Sequence, residues 1–222
     1  MSQGDQRRRI MRRINRAGVA VAPATVDRLV AYYELLETWN RKINLTAEVE
    51  SDAAVDRLLV EPLVAAQSLP RHAAAMIDIG SGSGSPAIPM KLSAPAVGLV
   101  MVESKTRKAA FLREVVRQLA MGSAVVETGR FEELLSRPDL RGVMDVVTIR
   151  AVRLDHRALA DLQEFLKPGG QIFLFGGSTI PVRDPIRLPL SLSGATPLVE
   201  PLRSKLYRLV KAAEPGGRRA AG

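Results

Sequence analysis

At 222 residues with 46% apolar content, the chain is long enough for one full-sized domain around a substantial core. It has no cysteine and only two histidines, His72 and His156. That excludes disulfides, thiol catalysis and zinc sites built on thiolates or histidines, and leaves both histidines as expected surface residues. The formal charge of +9 sits at the ends, +5 over residues 1–17 and +4 over residues 205–222, while residues 18–204 balance.

These two arms read as polar, poorly packed segments. Basic arms commonly grip phosphate backbones. Solubilising tails, or a start at Met11, would account for the same charge. No apolar stretch approaches the roughly 18 residues of a membrane span, and no apolar signal-peptide core follows the basic start. The expectation is a cytoplasmic protein with no membrane partner.

After Pro23, Thr25 is placed to cap a helix running to about Ile43, with Leu29, Tyr32, Tyr33, Leu36 and Trp39 at helical spacing. Trp39 on that stripe reads as core, the alternative being a base stacked on its ring. A second helix from about Asp52 to Leu69 is expected to bend at Pro62. From there strands and helices alternate, the pattern of a parallel sheet covered on both faces. Strands are expected to end at Ile79, Val102, Glu127 and Ile149, with a basic helix over Lys105–Met121. A helix over Asp155–Leu166 and the turn Lys167–Gly170 lead to a fifth strand, Gln171–Phe175. After a loop over Gly176–Arg187, Leu188–Leu192 and Lys205–Lys211 can close the sheet, the last strand antiparallel. The organisation expected is a basic arm (1–22), a helical cap (23–70), the main domain (71–212) and an unstructured basic tail (213–222).

The stretch Ala75–Met90 organises the rest. Its apolar strand gives way to Gly80, Gly82 and Gly84 alternating with serines, and Pro86 opens a helix. Without side chains in the way, a ligand can press on the main chain and meet unpaired N–H groups. Glu103, about twenty residues on, ends the neighbouring strand, where a carboxylate can accept both ribose hydroxyl protons. Dinucleotide enzymes use G-x-G-x-x-G because a pyrophosphate sits on the helix N-terminus. Here the spacing is G-x-G-x-G, and an acid, Asp78, precedes it. S-adenosylmethionine carries an amine and a sulfonium and no phosphate, so it suits that acid better; a tight turn with no ligand is the plain alternative.

Two further places face the same crevice beyond the carboxyl ends of the strands. Phe131 could lie against an adenine and Glu132 meet its exocyclic amine, unless Glu132 and Glu133 simply favour a helix dipole. Arg150 ends the fourth strand, either contacting substrate or cofactor or pairing with a site carboxylate.

With these motifs assembled, the chain resembles the bacterial 16S rRNA guanine-N7 methyltransferases of the small ribosomal subunit, the glucose-inhibited division protein B family. The matching pieces are Trp39-Asn40 with Asn44-Leu45-Thr46, Asp78 to Pro89 with its paired prolines, Glu103 to Arg113, Arg130 to Glu133, and Arg150-Ala151. They cover roughly residues 25–177. The resemblance implies a Rossmann-like class I S-adenosylmethionine-dependent methyltransferase sheet, α/β with helices on both faces and an N-terminal helical cap. It places Gly80, Ser85, Phe131, Glu132 and Arg150 on the methyl-donor contacts, and makes 16S rRNA or the small subunit the partner. Leu58, Glu61 and Pro62 stand where the family usually shows His, Asp and Ser. Ala87 replaces a glycine, Ile149 a serine and Phe175 a lysine. The donor site is thus kept better than the cap and the RNA-facing side.

The chemistry expected is spare. Guanine N7 has a free lone pair at neutral pH, so no general base is needed and catalysis rests on proximity and alignment. No metal is expected, and a monomer is, since no further interface stripe shows. Covalent cytosine C5 methylation needs a cysteine nucleophile, which is absent. A small-molecule or protein methyltransferase and a non-catalytic ribosome-binding relative are the remaining alternatives.

Overall fold

The computed structural model describes residues 2–151, 154–176 and 189–213. Four helical segments precede the sheet: α1 (Gln3–Arg16), α2 (Pro23–Ile43), α3 (Asp52–Val55) and α4 (Glu61–Ala66). The N-terminal basic stretch is not the loose arm its charge suggests. Ile10 and Ile14, four apart on one face of α1, are buried in the same core as α2. Flanking that face, Arg7 pairs with Asp27, Arg9 with Asp52 at 2.8 Å, and Arg13 forks onto Asp56. Most of these arginines are spent on intramolecular carboxylates.

Helix α2 starts three residues earlier than a Thr25 cap would set it, with Ala22 in the cap position. Pro23 takes the first turn, where its missing N–H and fixed φ suit it, and no side chain caps the end. Asn44 (φ 49°) closes the helix in a left-handed conformation, and the Asn40 side chain accepts the Thr46 N–H at 2.8 Å. That gives the Asn-Leu-Thr segment a structural reason. Trp39 lies against Phe111, ring centroids 5.8 Å apart, so it is core. Between α3 and α4 the helix widens to one π turn, Asp56–Val60, where the Glu61 N–H reaches back to the Asp56 carbonyl. Pro62 follows at once. A proline lacks the N–H and its ring crowds the carbonyl four residues back, which the wider turn relieves.

The strands are β1 (Ala75–Ile79), β2 (Gly98–Glu103), β3 (Ala124–Thr128), β4 (Met144–Arg150), β5 (Leu166–Gly176), β6 (Leu190–Pro197) and β7 (Lys205–Lys211). They form one sheet in the order β3-β2-β1-β4-β5-β7-β6, parallel except for β7, which is antiparallel to both its neighbours. Helices α5 (Ala87–Ser93), α6 (Thr106–Gln118), α7 (Phe131–Leu134) and α8 (His156–Leu162) connect the parallel strands. Side chains alternate along each strand between two cores. Met76, Leu99, Met101, Val146 and Phe173 face the cap, α5 and α6, while Ile77, Val147, Ile149, Ile172 and Leu174 face α8.

Three sequence expectations need correction. Lys167–Gly170 is not a separate turn. It lies inside β5 as an irregularity, with Met144 opposite Leu166 but Val146 opposite Gln171 and Gly169 at φ 77°. The last helix ends at Leu162, not Leu166, and gives way to a short 3-10 turn. The strand expected over Lys205–Lys211 is present as β7, so it is the reading of these residues as part of a loose basic arm that falls: Lys205, Arg208 and Lys211 lie in the sheet, and the Lys211 ammonium donates to the Gln163 and Leu166 carbonyls. The loop expected after Gly176, residue 188 of the expected closing strand and the tail from Glu214 fall outside the described residues. Among the described residues no helix is long and apolar enough to cross a membrane. Both histidines are exposed.

Candidate active site

Strand order reverses between β1 and β4, both parallel and both beside each other, so a crevice opens beyond their carboxyl ends. The glycine turn Gly80–Ser85 fills one side of it. All three glycines have positive φ, but two matter most. At Gly82 (φ 52°) an added Cβ would meet only the Gly80 carbonyl at 3.6 Å, so the backbone there is open to a ligand. At Gly84 (φ 87°) it would stand 2.3 Å from Ile88 Cδ1 and 3.2 Å from Leu112 Cδ2, so this glycine lets the turn pack on α5 and α6.

Glu103 is 6% exposed and ties the turn to the next helix. Its Oε2 accepts the Gly82 N–H at 2.8 Å and its Oε1 the Lys105 N–H at 2.7 Å. Each oxygen keeps a second lone pair, enough for the two ribose hydroxyls the sequence assigned to it. The Gly80 and Ser81 N–H groups bond to the Val102 carbonyl, and the Gly129 N–H to that of Glu103. The loop leading to Phe131 is thereby drawn to the same corner. Phe131 is half-buried against the core under α7, and Glu132 is exposed beside it.

Asp78 lies at the floor, 1% exposed. Its Oδ1 accepts the Thr148 hydroxyl at 2.5 Å, and Oδ2 is buried with no partner. Burial pushes its carboxyl up to about 6, against the Thr148 and Ser81 bonds and the positive Arg150, which act the other way. The Ser85 hydroxyl is buried and unpartnered too. An orphaned carboxylate oxygen under a bare glycine backbone fits a ligand that brings a cation and no phosphate.

Arg150 reaches the crevice from the end of β4 and is the partner of a carboxylate, one of the two readings its position allowed. Its Nη2 is 3.0 Å from Glu61 Oε2, its Nη1 donates to the Arg57 carbonyl at 2.5 Å, and its guanidinium lies 4.5 Å from the centre of the Phe175 ring. Burial lowers its affinity for a proton, with Glu61 opposing. Glu61 and Phe175, two of the departures from the family pattern, therefore meet on one arginine.

Two contributors were not assigned from sequence. Thr148 is the strand partner of Asp78, which its register reveals but its type does not. Tyr32, read only as part of an apolar stripe, donates its hydroxyl to the Ser83 carbonyl at 2.7 Å from a fully buried ring, so the cap holds the glycine turn. Tyr32→Phe leaves that carbonyl unpaired. The expected result is a loss of about 1–2 kcal/mol in urea unfolding and a several-fold weaker donor affinity by calorimetry.

A parallel sheet closed by an antiparallel β7, with a glycine turn at its switch point, is the fold of a class I S-adenosylmethionine-dependent methyltransferase. A SAM dependent methyltransferase from Aquifex aeolicus is similar in structure, with a TM-score of 0.53 and 10% identity over 80% of this chain and 97% of that one. The sequence also matches the profile described as GidB, rRNA small subunit methyltransferase G, over residues 25–181. Ribosomal RNA small subunit methyltransferase G of Cupriavidus necator is 31% identical over 188 residues, 80% of this chain and 76% of that protein. The protein of the same name from Neisseria meningitidis is 32% identical over 173 residues, 78% of this chain and 77% of that one. The chain belongs to the rRNA small subunit methyltransferase G family.

Proposed function

We propose that this protein transfers a methyl group from S-adenosylmethionine to N7 of one guanine in 16S rRNA, acting as a cytoplasmic monomer without a metal. The observation that carries the donor assignment is the buried, unpartnered Asp78 Oδ2 beneath the open Gly80–Gly84 backbone. The RNA assignment is supported by the family.

When bound, S-adenosylmethionine supplies an electrophilic methyl group. Asp78 would face the donor's cationic end, Gly80, Gly82, Gly84 and Ser85 would line it, and Glu103 would hold the ribose. Phe131 and Glu132 would flank the adenine. The helices of residues 23–70 would shape the entrance for RNA, with Arg150 at its edge. Guanine N7 presents a lone pair without losing a proton, so the side chains bind, orient and exclude water rather than move a proton. Arg150, already engaged by Glu61 and Phe175, is suited to orient a polar edge of the base and not to act as a base itself.

Calorimetry with S-adenosylmethionine and with NAD tests the donor assignment: binding of the first alone is expected, and a preference for NAD would overturn it. Glu103→Ala is expected to weaken donor affinity by about 1–3 kcal/mol through lost charge-assisted bonds. An unchanged titration would remove Glu103 from the ribose. Transfer to rRNA should fall steeply with salt, whereas a small-molecule methyltransferase would be indifferent to it.

A further inference from the structure

The end of α1 and the turn between β6 and β7, far apart in sequence, meet on the carboxyl edge of the sheet. The last turn of α1 carries Arg13 and Arg16. Facing it, the turn from β6 to β7 carries Glu200 and Arg203, across a cleft of about 620 Å³ that also touches Asp56 and the buried Leu198. Topology sets this cleft next to the crevice. Because β7 runs antiparallel to β5, Lys205 pairs with Gly176 at the end of β5, and Arg203 lies just before it. On the opposite wall, Asp56 adjoins Arg57, whose carbonyl holds the Arg150 guanidinium.

The three arginines differ. Arg13 forks onto the buried Asp56, so that pair is internally neutral. Arg16 and Arg203 are exposed and have no carboxylate partner among the described residues. Each stands on a fixed wall: Arg16 ends a helix packed into the core, and Arg203 ends a 3-10 turn, with its backbone at φ 48° and its N–H on the Glu200 carbonyl at 3.0 Å. Two uncompensated guanidinium groups lining one cleft suit an oxyanion that takes forked bonds from both sides. Glu200, exposed at the same cleft, opposes it; Asp56, the other carboxylate there among the described residues, is taken up by Arg13.

We propose that this cleft seats a phosphodiester of the RNA strand that enters the crevice, with Arg16 and Arg203 as its two contacts. The proposal rests on the RNA reading above and adds where the backbone is gripped. It also divides the labour among the α1 arginines: most of them hold the fold, while Arg16, with Arg203 from across the cleft, holds substrate.

The test uses the full chain and protein-free 16S rRNA, with affinity measured from about 50 to 300 mM salt. The Arg16→Ala, Arg203→Ala double variant is expected to bind about tenfold more weakly near 100 mM salt, with a salt slope shallower by about one. Its KM for RNA should rise while kcat and S-adenosylmethionine affinity stay unchanged, which shows an intact fold. Lysine at both positions should restore most of the slope, because a phosphate still accepts a point charge. Glu200→Gln should tighten RNA binding about two- to threefold by removing a repulsive charge. Arg12→Ala, an exposed arginine of α1 outside the cleft, should leave the slope as it is. If the double variant keeps the wild-type slope, or if Arg12→Ala loses as much, there is no phosphate site here, though RNA can still be the substrate. If the wild type itself binds RNA without salt dependence and transfers no methyl group, the RNA reading falls and the cleft assignment with it.

Discussion

Gly84→Val is expected to lower unfolding stability by about 3–5 kcal/mol and to remove donor binding that is measurable in the wild type. A β-branched residue at φ 87° is a backbone outlier, and its strain alone is worth about 1–3 kcal/mol. The new side chain also enters a filled space. Its Cβ would stand 2.3 Å from Ile88 Cδ1, and Ile88 and Leu112 are both fully buried, so neither can swing into solvent. Overpacking of that kind adds about 1–3 kcal/mol. The turn can escape only by lifting away from α5 and α6, and that lift would break the Gly82–Glu103 bond that shapes the crevice. Urea unfolding and calorimetry read the two effects, and a variant of wild-type stability would contradict the packing described for this turn.

Asp78→Asn is expected to weaken S-adenosylmethionine binding about a hundredfold near pH 8 while leaving the protein as stable as the wild type or more so. The carboxyl has a folded value of about 6, raised by burial above its ordinary 3.8. Between those values the folded protein holds a proton that the unfolded chain has released. The group's contribution to stability is therefore greatest below about pH 4 and falls by about 3 kcal/mol as pH rises through 6. Asparagine keeps the acceptor for Thr148 without a buried charge, so it avoids that loss. A cationic donor prefers the ionised form. Wild-type affinity should then rise by up to tenfold per unit between about pH 5 and 6 and level off above 7, and the asparagine variant should lose this dependence. A variant that binds like the wild type at pH 8 would show that Asp78 does not face the donor.

Much of this site is local in sequence. Asp78 and the three glycines sit on one strand–turn–helix unit and Glu103 ends the adjacent strand, so apolar runs and glycine spacing suffice to single them out, whereas Ser85 stood out only through the family resemblance. What periodicity could not give were partners across the fold. Tyr32 looks like any buried helix residue until the cap is docked on the glycine turn. Arg150 shows as a cation in an apolar strand, but Glu61 lies far back in the cap and Phe175 one strand over, so their convergence depends on packing. The N-terminal arm misled for a related reason. Net charge counts arginines, whereas Asp27, Asp52 and Asp56, which neutralise them, are distant in sequence. The irregular stretch at Lys167–Gly170 read as a turn because glycine and proline commonly end strands, yet here the strand continues through it.

The central claim is most directly tested by transfer of a labelled methyl group from S-adenosylmethionine to bacterial small subunits that lack their own N7 methylation, with the product mapped by strand scission at N7-methylguanine. A single labelled guanine in 16S rRNA is the expected result. Label in protein, label spread over many bases, or no transfer by a protein that still binds the donor would contradict the assignment.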